Sequence, residues 1–328
     1  MDKTTAILDA LDTMRRADLA KGDKFPAIAY AKAIKGLRAL GKPIVVLADV
    51  EGVPGIGAKI KLKIQEIIET GSLAAAEEVK RDTTISIYDA LLKIHGVGPV
   101  AAKKLVAEGI TSIDGLRAHP ELLNEVQLMG LKYYEDILLR IPRDEMREHE
   151  TLLRSSLPRA CAGVIVGSYR RKAESSGDID MLVSFQDREM CAADQRKAFH
   201  EFVARLSSSG YIRDILALGD KKCMAVVCLG AGRKARRLDL LLTPHDEFAY
   251  SILYFTGSDT FNVAFRKHAQ TRGYTLNEHI LKPVAPGVSP VPAMSTEEDI
   301  FQFLGIQYIS PEERKGPESL RTTAGTPA

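Results

Sequence analysis

Two aspartates spaced by one residue, Asp178 and Asp180, stand at the mouth of an apolar run in the segment GSYRRKAESSGDIDMLVSF (167–185). In a strand, residues i and i+2 point to one face, about 6.6 Å apart at a rise of about 3.3 Å per residue. Carboxylates so placed can converge on two divalent ions about 3.5–4 Å apart, the separation used for in-line displacement at phosphorus. Oxygen-only ligands favour Mg²⁺ or Mn²⁺. A third carboxylate, Asp239, lies within the otherwise apolar run RRLDLLL (236–242). A buried, unpaired charge is costly, so Asp239 needs a partner such as a metal. Asp-x-Asp alone is more often a solvated strand end. The upstream glycines and basic residues, together with Asp239, shift the balance toward metal-assisted phosphoryl transfer.

A second pattern occurs twice. VPGIGAKIKLKI (53–64) and IHGVGPVAAKKL (94–105) share an apolar-x-Gly-apolar-Gly core that leads into a helical start. The glycines Gly55 and Gly57, and Gly96 and Gly98, make a tight turn and leave the next helix with exposed N–H groups. Helix N-termini attract phosphate, and glycine permits close approach of a nucleic-acid backbone without sequence readout. One copy would be an ordinary turn between packed helices. Two copies, followed by Lys59, Lys61 and Lys63 and by Lys103 and Lys104, favour a DNA grip.

The elements that must carry these groups fall in two classes. Ile7, Leu8, Leu11 and Met14, then Ile28, Ala31, Ile34 and Leu37, recur at helical spacing, and helices are expected through residue 140. Short runs rich in Val, Ile and Leu follow at Ala162–Val166, Ile179–Phe185, Met224–Leu229 and Arg237–Leu242, as in strands. Leu281 to Ala293, with four prolines, reads as a loop, and the stretch from Lys315 as a fraying tail. With 328 residues, 45% apolar and 27% charged, the chain is a multidomain globular protein of class α plus α/β. Its net charge of +2 is too small to announce nucleic acid by itself. Cys161, Cys191, Cys223 and Cys228 lack metal-ligand spacing. No secretory signal or membrane span is read, so an intracellular protein is expected.

GSYRRKAESSGDIDML, YFTGSDTFNVAFRKHA (254–269) and EEDIFQFLGIQYISPEER (297–314) resemble DNA polymerase family X, and YAKAIKGLRALGKPI (30–44) is similar to its polymerase lambda branch. The resemblance spans nearly the whole chain, without a BRCT domain. It implies a helical lyase domain with the first helix-hairpin-helix (1–81), a DNA-binding domain with the second (82–141), a palm with a mixed sheet (142–243), a small α+β nucleotide-binding domain (244–314) and a tail (315–328). Asp178 and Asp180 would bridge two Mg²⁺ or Mn²⁺ ions, and Asp239 would bind the one that activates the primer hydroxyl. Arg140, Ser168, Arg171, Ser176 and Gly177 would hold the triphosphate. Tyr254, Phe255 and Gly257 would lie against the sugar, with Gly257–Ser258 cis. Asn262 would reach the base, Arg266 the template, and Lys222 and Arg237 the DNA. Lys63 would form a Schiff base with a 5′-deoxyribose phosphate whose phosphate Lys24 and Lys59 hold. Na⁺ or K⁺ is implied at the hairpins, near the carbonyls of Val53, Ile56, Ile94 and Val97.

The implied substrates are gapped or nicked DNA and deoxynucleoside triphosphates, handled by a monomer. The compartment is the nucleus for a eukaryotic source, and a virion or viral factory for a viral one. Lys172 stands where many relatives have glycine, adding a cation beside the triphosphate. Leu241 replaces an arginine that pairs with a catalytic aspartate, so that switch is expected to be missing. Val263 and His279 differ near the base pair, and Leu62 and Ala75 replace charged residues of the lyase domain. The rivals are a template-independent terminal transferase, an RNA-tailing enzyme and a non-catalytic DNA-binding scaffold. The first needs a long palm loop, and GAGRKARR (230–237) leaves little room for one.

Overall fold

The computed structural model describes residues 2–187, 189–284 and 287–323, which divide into two compact units, residues 1–134 and 135–328.

The first unit is helical: α1 (Thr4–Lys21), α2 (Lys24–Ala39), α3 (Ala58–Thr70), α4 (Ala74–Arg81), α5 (Thr83–Leu91), α6 (Pro99–Ala107), α7 (Ile113–Arg117) and α8 (Glu125–Lys132). Two apolar clusters hold it together. Ile7, Leu11, Leu37, Ile44, Ile64 and Ile67 pack α1 to α3, while Tyr88, Leu91, Ile94, Leu105 and Leu116 pack α5 to α7. The buried face of α2 is Ala27, Tyr30, Ala33, Ile34 and Leu37. Of the four residues whose spacing predicted this helix, Ile34 and Leu37 are buried while Ile28 and Ala31 are exposed. Both share the i, i+3 spacing of Ile34 and Leu37, but the apolar stripe is centred one position away.

The boundary falls at the start of α9 (Tyr134–Leu138), and the second unit continues with β1 (Ile141–Pro142) and α10 (Arg143–Ser156). Its sheet strands are β2 (Cys161–Ile165), β4 (Ile179–Phe185), β5 (Ile212–Leu218), β6 (Lys222–Val227) and β7 (Arg236–Leu242), in the order β2-β4-β7-β6-β5. Only β4 and β7 run parallel. The short α11 (Gly167–Arg170) and β3 (Ser175–Ser176) separate β2 from β4, and α12 (Ala192–Ser208) covers one face with Phe199, Phe202 and Leu206. A second core gathers around α13 (Phe248–Thr256), α14 (Asp259–Thr271), the hairpin β8 (Tyr274–Leu276) with β9 (Leu281–Pro283), and α15 (Glu297–Phe303).

Two readings of the chain's last third are corrected. Leu281 to Pro283 is a strand paired with Tyr274 to Leu276, because its proline closes the strand at an edge. The loop reading's Ala285 and Pro286 lie outside the described residues. The supposed tail does not fray through residue 323: Leu320 is buried, and backbone bonds join Gln307 to Arg321 and Thr323 to Gly305. One apolar side chain and a few non-local hydrogen bonds anchor it without any periodic signal. Residues 324–328 lie outside the described residues.

Candidate active site

Parallel pairing of β4 with β7 sets Asp180 directly opposite Asp239. Neighbouring strands lie about 4.8 Å apart, so two carboxylates from different parts of the chain stand side by side. Asp178, just before β4, shares the face of Asp180. Burial is the main force that pushes the Asp180 carboxyl up to about 6, the Asp239 charge adds to it, and Lys222 opposes it. Asp239 is buried, and its Oδ1 has no hydrogen-bond partner among the described residues. An oxygen-only donor set with an orphaned carboxylate oxygen fits hard divalent cations.

Two cations already attend these aspartates. Arg237 Nη2 pairs with Asp178 Oδ2, and Lys222 Nζ lies 2.9 Å from Asp239 Oδ2. Among the described residues no three carboxylates, imidazoles or thiols surround a common point. Asp178 is drawn to Arg237 and would have to leave it to bind a metal. Leu241 leaves its own position apolar, yet an arginine still reaches a carboxylate. Arg237 does so because residues 237, 239 and 241 share one face of β7.

Above the carboxylates the chain turns at Gly167, whose φ of 63° lies in the left-handed region and where a Cβ would sit 3.4 Å from Asp180 Oδ2. Ser168 Oγ donates to Ser176 Oγ at 3.0 Å, and Arg140 Nε donates to Ser175 Oγ at 3.1 Å. A Cβ at Gly177 would lie 3.5 Å from Arg140. These residues form one rim. Arg171 Nη1 donates to the Thr256 carbonyl at 2.5 Å, and burial lowers the pKa of its guanidinium. A cleft of about 340 Å³ gathers Arg171, Asp180, Tyr254, Phe255, Gly257, Asn262 and Arg266. The Gly257–Ser258 peptide is cis. Tyr254 and Phe255 meet edge to face at 5.1 Å, and Asn262 Nδ2 donates to the Tyr254 carbonyl at 2.7 Å.

Among the substituted positions, Val263 lines the cleft and is exposed, while His279 Nδ1 lies 2.6 Å from Glu247 Oε2. Lys172 does not stand free beside the rim, since its Nζ is 2.8 Å from Glu312. The sequence reading missed Glu297. This 5%-exposed carboxylate takes Arg170 Nη2 at 2.6 Å and the fully buried Arg314 Nη1 at 2.6 Å. The only trace of it in the sequence is an arginine on each of two segments already matched.

In the first unit the two hairpins share one backbone course. Gly55 and Gly96 have φ of 92° and 83°, while Gly57 and Gly98 are extended at φ −85° and −90° and cap α3 and α6 without a side-chain bond. Ile56 N–H donates to Val53 at 3.2 Å and Val97 N–H to Ile94 at 3.0 Å, so those carbonyls line the turns. A Cβ at Gly55 would collide with the Ala33 nitrogen at 2.9 Å, whereas one at Gly57 or Gly98 would meet nothing within 4 Å. The first glycine of each pair is required by the turn, and the second leaves the helix N-terminus open. Lys59 and Lys63 lie one turn apart on α3, and Lys24 begins α2. Lys63 is within electrostatic reach of Asp18 on α1; Asp18's own pKa is raised, first by burial and then by Asp23. Leu62 beside Lys63 is exposed.

Comparison with known proteins accounts for this arrangement. The profile described as DNA polymerase beta palm matches residues 140–245, and DNA polymerase beta thumb matches 251–315. The fingers domain of DNA polymerase lambda matches 89–138, and a helix-hairpin-helix domain matches 2–73. DNA polymerase lambda of Rattus norvegicus is 32% identical over 325 residues, covering 94% of this chain and 56% of the relative. DNA polymerase lambda of Arabidopsis thaliana is 30% identical over 318 residues, covering 90% and 59%. The chain thus spans little more than half the length of these relatives. With profiles matched from residue 2 to 315 around the paired aspartates, the chain belongs to DNA polymerase family X, on its beta/lambda-like side.

Proposed function

We propose that this chain is a template-directed, gap-filling DNA polymerase of base excision repair. The observation that carries the reading is the parallel register that sets Asp180 beside Asp239 under a cleft lined by Arg171 and the Tyr254–Gly257 turn. Polymerases of this family use divalent metal ions. Asp178, Asp180 and Asp239 would hold two of them, Mg²⁺ or Mn²⁺, which when bound neutralise charge on the triphosphate and the primer oxygen. The chain's own groups do the positioning. Arg171, Arg140, Ser168, Ser176 and the Gly177 backbone hold the phosphates; Tyr254, Phe255 and Gly257 pack against the sugar; Asn262 and Arg266 face the base and template. Arg237 and Lys222 release the carboxylates and turn to the DNA strand. The substrates are gapped DNA and deoxynucleoside triphosphates, and the protein works as a monomer.

In the first unit, the open N-termini of α3 and α6 suit DNA phosphates, with Na⁺ or K⁺ at the hairpin carbonyls. Lys63 attacks the aldehyde carbon of a 5′-deoxyribose phosphate with loss of water, and Lys24 and Lys59 hold its phosphate. Among the described residues no helix is long and apolar enough to cross a membrane. In a eukaryotic source we place the protein in the nucleus.

The test is extension on a duplex with a one-nucleotide gap and Mg²⁺, beside single-stranded DNA and RNA primers. Templated incorporation at the gap is expected. Untemplated extension of the single strand would favour the terminal transferase, extension of RNA an RNA-tailing enzyme, and no extension with Mg²⁺ or Mn²⁺ a DNA-binding scaffold. Borohydride trapping on an incised abasic site tests the lyase: Lys63→Ala should abolish the adduct, and unchanged trapping would remove Lys63 from the role.

A further inference from the structure

The cleft has two walls, the loop of Gly167 and Arg171 on one side and the junction of α13 and α14 on the other. They are joined by a ladder of charges. Its inner rungs are the part-buried, bidentate pair of Arg170 with Glu297 and the buried pair of Glu297 with Arg314. Its outer rung is Lys172 to Glu312 at 2.8 Å, between side chains 65% and 39% exposed. Lys172 reaches it from a left-handed backbone, φ 60°, a conformation most side chains avoid. The segment bearing Glu312 also seats the sugar-side turn: the Arg314 carbonyl accepts the Ser258 hydroxyl at 2.9 Å, and the Lys315 carbonyl accepts it at 3.0 Å and the Thr260 hydroxyl at 2.8 Å.

We infer that Lys172 and Glu312 form an ionic clamp that sets the spacing of the two walls and so the grip on the incoming triphosphate. Both are positioning residues, and the assignment rests on the polymerase reading. The inner rungs are largely withdrawn from solvent, with Arg170 23% and Glu297 5% exposed. The outer rung is exposed to salt, so it is the adjustable one. Lys172 therefore acts on the nucleotide through Glu312 and the turn it supports, in place of direct contact with a phosphate. The Lys172 ammonium is also the main cause of the lowered Glu312 pKa.

The variants Lys172→Gln, Glu312→Gln, the double variant and the exchange Lys172→Glu with Glu312→Lys distinguish the two roles. KM for the nucleotide and kcat are measured on gapped DNA at low and high salt. Calorimetric binding of a deoxynucleoside triphosphate with Mg²⁺, without DNA, runs alongside. Each single variant should raise KM about two- to five-fold at low salt with little change in kcat, as for an exposed pair. The double variant should be no worse than either single one, and the exchange should restore most of the loss. A tighter KM in Glu312→Gln with a weaker one in Lys172→Gln would mean that Lys172 binds the triphosphate and Glu312 competes for it, overturning the clamp. So would incorporation with KM unchanged in every variant. If the wild-type chain binds triphosphate but incorporates none, the polymerase reading falls, and the calorimetric affinities still decide the clamp.

Discussion

Replacing Glu297 by glutamine should damage the protein far more than replacing Glu312, although both carboxylates pair with basic residues of the same loop. Glu297 accepts Arg170 at 2.6 and 3.1 Å and Arg314 at 2.6 Å, and is 5% exposed. Arg314 is 1% exposed, and its Nη2 lacks a hydrogen-bond partner among the described residues even with Glu297 in place. Its guanidinium lies 5.3 to 5.7 Å from the ring centres of Phe261, Phe301 and Tyr308, so it cannot turn to water without opening that core. Glutamine keeps the shape and removes the charge. Stranding a buried charge in this way costs about 3–5 kcal/mol. The solvent-screened Lys172–Glu312 pair should contribute far less. Urea unfolding followed by circular dichroism and by tyrosine fluorescence, in a chain with no tryptophan, measures both. A further variant, Glu297→Gln with Arg314→Met, should regain much of the stability because it removes the stranded charge. A loss below about 1 kcal/mol in Glu297→Gln, or a double variant weaker than the single one, would refute the reasoning.

Stability should also fall between neutral and acid pH through His149. Burial depresses its pKa from 6.5 to about 4, against the opposing pull of Glu145, so between those values the unfolded chain binds a proton that the folded one refuses. Stability therefore decreases as pH falls through this window, by roughly 3 kcal/mol in all. Urea midpoints at pH 7 and pH 4.5 should converge in His149→Gln; an undiminished slope would exclude the histidine. Arg237→Gln, which frees Asp178, should tighten Mn²⁺ binding in the absence of DNA by about ten-fold, from a charged hydrogen bond of roughly 1.5–3 kcal/mol partly regained by the metal. A metal titration showing equal or weaker binding would contradict that competition. Gly55→Ala should lower the melting temperature of the first unit, whereas Gly57→Ala should leave it unchanged and weaken duplex binding. Equal thermal effects would refute the division of labour between the two glycines.

How much of this was legible in the chain depends on the distance over which each feature is determined. The strand Ile179–Phe185 was read with its observed bounds, since a buried run flanked by Gly177 and Gln186 carries its own signal. The hairpins were equally clear, because a left-handed turn at Gly55 or Gly96 is a matter of local sterics. The helix α2 was legible from its period, but which of two overlapping apolar stripes is buried was not, since packing against α1 decides it. The strand β5 was overlooked, as its alternation is broken by register shifts against β6.

The aspartates as chemistry were a property of the sequence: side-chain parity on a strand puts Asp178 and Asp180 on one face whatever else the chain does. Which side chains pair with them was not. Arg237 meets Asp178 across 59 positions, and Glu297 draws Arg170 across 127. A substitution at Leu241 suggested a missing switch, while the fold brought another arginine from the same face of β7. Local rules follow from backbone geometry within a few residues. The partners of a buried charge follow only from which strands run parallel and which helices close over them, and tertiary packing alone decides that.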